Sequence, residues 1–281
     1  MTTIYPNNYS FGNYSNYYNN YDSNNTAETS RNQNYRPPIH QQQDPTLNYA
    51  ISLAGLGAAS VFIQKASQFL ATKLMQGEEF TTPENIGKVA DEMLASKNLQ
   101  NTVQVGFLDK SNVDKFISKF GMQDALMTVA EGKNAFYADT LKPKLAVAPK
   151  SKPSLILHEL GHAINAHSGG FMKFLQKSRG WAPLAPTALM FLAPIFQPKE
   201  DNKNNFIKDH AGLIGFGAFL PTIVEEGLAS LRGIKAAKKG LKGLEGVKFG
   251  HLTRNYALAW GTYVLAGIGL GIAAKQSVLM Q

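Results

Sequence analysis

Residues 158–162 read His-Glu-Leu-Gly-His, and this run directly follows the apolar stretch Leu155–Leu157. Positions four apart on an α-helix lie one turn apart, so His158 and His162 can bind one metal ion. Glu159 then points beside them, toward a water held by that metal. Random placement gives this pattern in roughly one chain in 200 of such composition, so a further ligand is needed to support the metal site.

Glu225 and Glu226 are the carboxylates from which a third ligand can come, in the run Thr-Ile-Val-Glu-Glu-Gly-Leu-Ala-Ser. A third histidine in the metzincin pattern would stand where this chain has Ser168, so that class is excluded. His167 lies about 180° round the helix from His158 at 100° per residue, and we expect it at the surface. A glutamate on a second helix would leave the fourth position of a tetrahedral zinc open for water.

The two motifs together resemble those of the membrane gluzincins, the zinc metallopeptidases that include HtpX and the CAAX prenyl proteases. That family carries His-Glu-x-x-His on one helix and Glu-x-x-Ala-Asp on another, and Glu226 with Ala229 matches the first part of the second motif. The resemblance implies that the two histidines and Glu226 bind one zinc ion, with Glu159 as the general base. Ser230 stands where the family has Asp, so the carboxylate that orients a zinc-binding histidine is missing or comes from elsewhere.

Two looser matches to the same family lie outside the metal motifs. Asn134-Ala135-Phe136, followed by an alternating apolar run, resembles the edge strand that precedes the metal helix and pairs with an extended substrate backbone. His251 and Arg254 resemble the family's late His-Pro...Arg motif, without the proline and with shorter spacing. The resemblance implies that these two residues hold the developing oxyanion, and basic residues at a membrane interface are an equal alternative.

Composition limits the classes of protein that can carry these motifs. The chain has 281 residues, 44% of them hydrophobic, and it has no Cys, which excludes disulfides, thiolate zinc sites and cysteine nucleophiles. Its net charge of +8 accompanies no recognisable nucleic-acid motif, so no nucleic-acid partner is expected. The expected partners are a polypeptide substrate and a lipid bilayer, and the oligomeric state stays open.

The patterns predict an α+β fold, mainly helical, with a small antiparallel sheet and attached hydrophobic membrane helices. We expect a disordered Asn/Tyr/Gln-rich tail at 1–46, a membrane-associated apolar or amphipathic helix at 47–76, and a zinc metallopeptidase domain at 80–255. A hydrophobic hairpin at 181–224 interrupts that domain, and a transmembrane helix at 256–275 follows it.

Local signals in the middle of the chain predict three elements of that domain. Thr82-Pro83-Glu84-Asn85 is a helix start, because Thr can cap a helix whose first residue is Pro. Val103–Phe107 alternates as a half-buried strand does. The metal helix is expected to run from Leu155 onward.

Apolar runs in the second half of the chain indicate membrane embedding. Ala257–Ala274 alone approaches the roughly 20 residues that a span requires. Trp181–Phe196 and Ala211–Val224 flank a polar loop and resemble the hydrophobic hairpin of HtpX-like proteases, and helices of a soluble core are the alternative. Basic residues outnumber the single acid Glu245 between Glu226 and the last apolar run, so the active site should face the cytoplasm.

Three functions follow from these features. The leading hypothesis is a membrane-associated zinc endopeptidase that cuts misfolded or membrane proteins, a substrate class implied by the resemblance alone. A catalytically silent metal-binding scaffold is favoured if Ser230 has spoiled the orientation of the ligands. A membrane-surface remodelling protein is favoured if the basic and amphipathic segments carry the activity.

Overall fold

The computed structural model describes residues 45–196 and 205–280, so the predicted tail lies almost entirely outside the described residues. This part of the chain is mainly helical with a small three-stranded sheet, and the α+β prediction is confirmed at that level. The elements in chain order are α1 (Pro45–Met75), α2 (Pro83–Ala95), β1 (Val103–Leu108), α3 (Val113–Phe120), α4 (Gln123–Ala130), β2 (Phe136–Ala138), β3 (Lys144–Pro149), α5 (Leu155–Ala166), α6 (Gly170–Ser178), a 3-10 turn (Ala182–Leu184), α7 (Ala185–Ile195), α8 (Phe206–Gly240) and α9 (Phe249–Leu279).

The three local predictions in the middle of the chain are confirmed. The Thr82 side chain accepts a hydrogen bond from the Asn85 amide at 3.4 Å, and Pro83 is the first residue of α2. Strand β1 contains the alternating run, and α5 begins at Leu155. These elements were readable from sequence because their signals are contained within a few residues.

The sheet has the order β1–β3–β2, and its direction differs from the prediction. Strands β2 and β3 pair antiparallel, whereas β1 and β3 pair parallel, with Val103 opposite Lys144. The prediction of an antiparallel sheet was therefore wrong for one of the two pairs. The chain between β1 and β3 passes through α3, α4 and β2, and a crossover of that length returns a strand in its original direction.

Helix α5 is enclosed between the sheet and α8. Its apolar residues Ile156, Leu157 and Leu160 are completely buried, in one cluster with residues of α2, α8 and the sheet. A second apolar cluster, including Leu108 and Leu126, joins the sheet to α3 and α4. The sheet thus holds α5 in place by burial on the side away from α8.

Helices α5 and α8 cross at backbone contact. A Cβ atom at Gly161 would overlap the Ala229 carbonyl oxygen and lie 2.7 Å from Ala229 Cα. One turn further along α8, a Cβ at Gly233 would lie 3.0 Å from the Leu157 carbonyl oxygen. Only small residues allow helix axes to approach this closely, and the crossing brings the two sequence motifs together.

Helices α8 and α9 are long and apolar enough to cross a membrane, and within the described ranges no other helix of that length is. Only 33% of the apolar window of α8 and 28% of that of α9 is buried, which is unlike the core helix of a soluble protein. They pack closely, because a Cβ at Gly271 would lie 2.7 Å from the Gly212 carbonyl oxygen. The predicted second arm of the hairpin and the third-ligand segment are one uninterrupted helix, and α9 extends beyond 256–275 at both ends.

Helices α1 and α7 complete this layer. Helix α1 runs antiparallel to α9, since Leu70 contacts Gly261 and Ile63 lies near Gly269. Helix α7 joins a small apolar cluster at the far end of α8 and α9 through Leu189 and Ala193. The layer therefore extends away from the α5–α8 crossing, and its far end is where α8 begins and α9 ends.

Candidate metal centre

His158, His162 and Glu226 meet where α5 and α8 cross. The Nε2 atom of His158 lies 3.0 Å from Nε2 of His162 and 3.1 Å from Oε2 of Glu226, and the third separation is 3.4 Å. Ligand atoms of a tetrahedral zinc with bonds of about 2.0–2.1 Å lie about 3.3 Å apart. All three side chains are buried and could hold a metal ion, as the sequence motifs predict.

The other ring nitrogen of each histidine has its own partner. His158 Nδ1 lies 3.0 Å from Ser230 Oγ, and His162 Nδ1 lies 2.8 Å from Glu225 Oε1. A partner at Nδ1 fixes the ring and the tautomer, and it leaves Nε2 free to bind a metal. Ser230, the residue at the expected Asp position, therefore lies beside His158 Nδ1, and the carboxylate of Glu225 lies beside Nδ1 of the other histidine.

A network of polar side chains holds Glu225. Arg179, just after α6, donates from one nitrogen to Glu225 Oε2 at 2.8 Å and from another to Glu226 Oε1. Asn165 donates to Glu225 Oε1 at 2.9 Å, and Arg232 donates to Asn165 Oδ1 at 2.7 Å. The two adjacent carboxylates of α8 thus share one guanidinium, and Glu226 keeps Oε2 directed at the histidines.

Tyr256 of α9 closes the site behind His158. Its ring meets the His158 imidazole edge-on, with centroids 5.7 Å apart, and its hydroxyl donates to the Ser154 carbonyl oxygen at 2.6 Å. Gly233 makes room for this ring, since a Cβ there would lie 2.9 Å from it. Water is thereby kept from this side of the histidine.

The electrostatics of the site are those of buried groups in close contact. Burial raises the pKa of Glu159, against the opposing effect of His158, His162 and Arg179. Burial lowers the pKa of His162, yet the glutamates raise it well above its ordinary value. The pKa of Arg179 is raised in the same way, so its guanidinium stays charged. Glu159 Oε2 is buried without a hydrogen-bond partner among the described residues, and is therefore free to act on another group.

The two residues predicted to hold an oxyanion lie elsewhere on α9. His251 Nδ1 lies 3.5 Å from Glu78 Oε2, and Arg254 is exposed. Arg179 is a cation that does lie at the candidate metal centre, where it binds Glu225 and Glu226. No sequence motif predicted a cation at residue 179. The predicted role of His251 and Arg254 stays a prediction.

The predicted substrate-binding stretch lies at the edge of the sheet. Phe136 opens β2, the edge strand next to β3, and pairs with Val147. Ala135 and Phe136 are buried, and Asn134 Oδ1 accepts from the Ala135 amide at 2.9 Å. His167, expected at the surface, is exposed at the end of α5.

No family model, curated protein or solved structure matches the chain. The geometry of the site and the chemistry of its residues are therefore what indicates a function for this chain. Two of those residues, Glu225 and Arg179, were not assigned to the site from sequence. The position of Glu225 directly before Glu226 could have indicated its role. Adjacent side chains on a helix point about 100° apart, so the two glutamates can contact different partners.

Proposed function

We propose that this protein is a membrane-associated zinc endopeptidase of the gluzincin type. The observation that carries the proposal is the triangle of ligand atoms on His158, His162 and Glu226, with separations of 3.0–3.4 Å, in which both histidines present Nε2. Two histidines and one carboxylate with an open fourth position are the ligand set of catalytic zinc hydrolases.

A bound zinc ion would supply Lewis acidity to the scissile carbonyl and lower the pKa of the attacking water. Glu159 takes the proton from that water as its oxygen bonds to the carbonyl carbon. The same carboxyl then protonates the amine nitrogen as the C–N bond breaks. The raised pKa of buried Glu159 suits both steps, because a base that must return its proton works best when its pKa lies nearer the working pH.

Strand β2 supports the assignment of an extended peptide as substrate. It is an edge strand next to the metal-binding helix, and a peptide could add to its outer edge through main-chain hydrogen bonds. The Asn134-Ala135-Phe136 stretch would take part through its backbone, because the side chains of Ala135 and Phe136 are turned into the core.

The apolar helices support a bilayer as the place of action. Large apolar side chains on α7 and α8, such as Phe191, Ile195 and Leu213, are exposed. Such a surface is stable in lipid and prone to aggregation in water. The exposed lysines after Glu226, among them Lys235 and Lys238, favour an active site on the cytoplasmic side.

The ligand set is tested by zinc content of the full chain in detergent after zinc reconstitution. We expect one zinc per chain in the wild type, and none in His162→Ala or Glu226→Gln. Glu225→Gln is the matched variant, because it alters the neighbouring carboxylate and leaves the three ligands in place. A wild type that binds no zinc would overturn the proposal, as would a Glu226→Gln variant that binds it fully.

Catalysis is tested by Glu159→Gln, which keeps the shape of the side chain and removes the base. With zinc content unchanged, proteolysis of an unfolded membrane-protein substrate is expected to fall by a factor of about 10²–10⁴. The exposed Glu245→Gln serves as the control. Activity that persists in Glu159→Gln would contradict the peptidase mechanism, and zinc binding without any proteolysis in the wild type would identify the metal-binding scaffold instead.

A further inference from the structure

The chain has two tryptophans, and each lies near a residue of the metal centre. Trp260 of α9 donates from Nε1 to the Ile223 carbonyl oxygen at 2.9 Å, and a Cβ at Gly227 would lie 3.1 Å from that nitrogen. Trp181 follows two residues after Arg179, whose guanidinium binds both Glu225 and Glu226. Trp260 therefore lies beside the part of α8 that leads into Glu226, and Trp181, in the turn between α6 and the 3-10 turn, lies close in the chain to the arginine that binds Glu226.

Both tryptophans are exposed, Trp181 by 73% and Trp260 by 41%. Indole rings with an exposed face are enriched where a bilayer meets water, because the ring is amphipathic. Phe171 and Phe174 of α6, the helix that precedes Trp181, are also exposed, with the exposed Lys173 between them. Such a mixture of aromatic side chains and lysine is typical of a segment that lies in the interface.

Charged residues bound the apolar stretch of α9 at both of its ends. No charged side chain occurs between Arg254 and Lys275. Trp260 lies inside this stretch, and Lys275 lies about 22 Å beyond it at 1.5 Å per residue, so the apolar belt between them is shorter than the roughly 30 Å of a typical hydrocarbon core and suits a bilayer thinned around the protein. At its far end Lys275 Nζ donates to the Lys208 carbonyl oxygen at 2.6 Å, so the two lysines mark one common end of α8 and α9.

On the other side of the tryptophans the surface of α8 and the following loop is basic. Exposed lysines follow the metal-ligand segment at Lys235, Lys238, Lys239 and Lys242. Positive side chains within reach of a cytoplasmic leaflet are attracted by its anionic headgroups. The order along the molecule is therefore an uncharged apolar belt, two tryptophans, and a basic region.

We propose that the boundary between hydrocarbon and headgroups crosses the molecule at Trp181 and Trp260, which puts the metal centre in the headgroup layer of an anionic leaflet. This placement rests on the membrane embedding in the proposed function and adds the depth of the site to it. A substrate bond would have to enter that layer to be cut, so the accessible bonds are those of polypeptide segments close to the lipid surface.

The depth is measured by tryptophan fluorescence of the full chain in vesicles of phosphatidylcholine and phosphatidylglycerol. Trp260→Phe leaves Trp181 as the reporter, and Trp181→Phe leaves Trp260. Phospholipids brominated near the headgroup, at mid-chain or near the chain end quench indoles at their own depth. We expect both variants to lose most fluorescence with the shallow bromine, by at least about twofold over the deep one.

A third reporter calibrates depth within the same molecule. In the chain that carries both phenylalanines, Leu213→Trp puts an indole at an exposed position of α8, about 18 Å along the helix from Glu225. This reporter is expected to be quenched most by the mid-chain or deep bromine. A reporter at Leu213 that matches the two native positions would overturn the proposed orientation.

Three other results would also overturn the proposal. Strongest quenching of Trp181 and Trp260 by the deep bromine would place the site inside the hydrocarbon. Quenching by iodide without quenching by any bromolipid would place it in water. Shielding of Trp181 from both agents would show that another part of the chain or a second copy covers it. Quenching requires neither zinc nor turnover, so zinc-free protein with shallow tryptophans would refute the peptidase and leave the depth intact.

Discussion

Two regions of α8, near Ala229 and near Gly212, each pack against a neighbouring helix at backbone contact, but their surroundings differ. Near Ala229, α8 meets α5 at backbone contact and directs polar side chains into a buried space. Near Gly212, it meets α9 at backbone contact and leaves large apolar side chains such as Leu213 exposed. Small residues bring the axes together in both places. What differs is the surrounding medium: protein and buried polar partners at one end, and a surface suited to lipid at the other.

This difference predicts which substitutions should alter metal binding and which should not. Around Glu225 hydrogen bonds fix the polar atoms, so a small change of geometry should alter the proposed metal binding directly. Along the apolar belt the contacts serve to hold helices together, and a change there should alter stability or insertion first. The two ends can therefore be disturbed separately.

The largest expected effect is that of Arg179→Met. It would leave Glu225 and Glu226 side by side in the interior without their shared cation, and removing one partner of a buried charge cluster costs about 3–5 kcal/mol. Chemical denaturation in detergent measures the free energy of unfolding. Arg179→Lys, which keeps the charge but not the two-pronged geometry, should lose less, and the exposed Lys177→Met should lose almost nothing. Equal losses in all three variants would contradict the role of the guanidinium.

Leu213→Arg tests the apolar end of α8. The side chain is 69% exposed and lies about 8 Å along α8 from Lys208, and arginine inside a span costs up to about 2.5–3.5 kcal/mol in membrane insertion, the cost at its centre. We expect a smaller membrane-inserted fraction after carbonate extraction of cells, while the inserted or detergent-purified protein still binds one zinc. An unchanged inserted fraction would mean that α8 does not meet lipid at this position. Lost zinc in folded protein would mean that the two ends of α8 are not independent.

Gly161→Ala and Gly271→Ala compare the two backbone contacts directly. Each added methyl would overlap a carbonyl of the facing helix, and overpacking of this kind costs about 1–3 kcal/mol. At Gly161 the cost should appear as weaker zinc binding, by up to roughly a hundredfold. At Gly271 it should appear as lower stability with zinc affinity retained. Gly217→Ala, where a Cβ meets no atom within 4 Å, is the control. The comparison fails if both variants weaken zinc equally.

Glu225→Gln sharpens the role of the carboxylate next to the ligand. The amide can still accept from His162 Nδ1 at the 2.8 Å contact, but it no longer carries the charge that polarises the ring. Loss of such an orienting partner typically weakens metal affinity about 10–100-fold. Competition with a zinc chelator measures the affinity, and Glu245→Gln is the exposed control. Full occupancy at saturating zinc is expected, since the three ligands remain.

Ser230→Ala has the smallest expected effect. It removes the 3.0 Å contact to His158 Nδ1 while the other histidine keeps its carboxylate. A neutral hydrogen bond contributes about 0.5–1.5 kcal/mol, which corresponds to a loss of zinc affinity of roughly tenfold or less. Chelator competition again gives the affinity. A loss larger than that of Glu225→Gln would show that Ser230, and not Glu225, is the principal orienting residue.

The sequence allowed the metal trio and several helix starts to be predicted because each depends on residues close together in the chain. His158 and His162 are placed by one helical turn, and Thr82 caps the helix that begins at the next residue. The prediction of Glu226 as a ligand required a second motif, and that motif lies on a regular helix. These features depend little on how the rest of the chain folds.

The remaining features depend on contacts between distant segments. The direction of β3 against β1 depends on the crossover between them, and the strand patterns are the same for either direction. Arg179 reaches Glu225 only because α6 returns across α8, and no local spacing predicts that path. The same holds for Ser230, whose hydroxyl serves in place of a carboxylate because the close crossing brings it within 3.0 Å of His158.

Helix α8 carries Glu226 on the same continuous helix that lies in the apolar layer, with Pro221 between the two, whereas the two histidines lie on α5, which packs on the sheet. Glu226 lies about 30 Å along α8 from Phe206, so a change of tilt of about 2° displaces it by about 1 Å. Bilayer thickness sets the tilt of spanning helices. If α8 spans a bilayer as proposed, the position of Glu226 relative to the two histidines depends on lipid chain length, and zinc affinity should change when the same protein is moved from thin to thick bilayers.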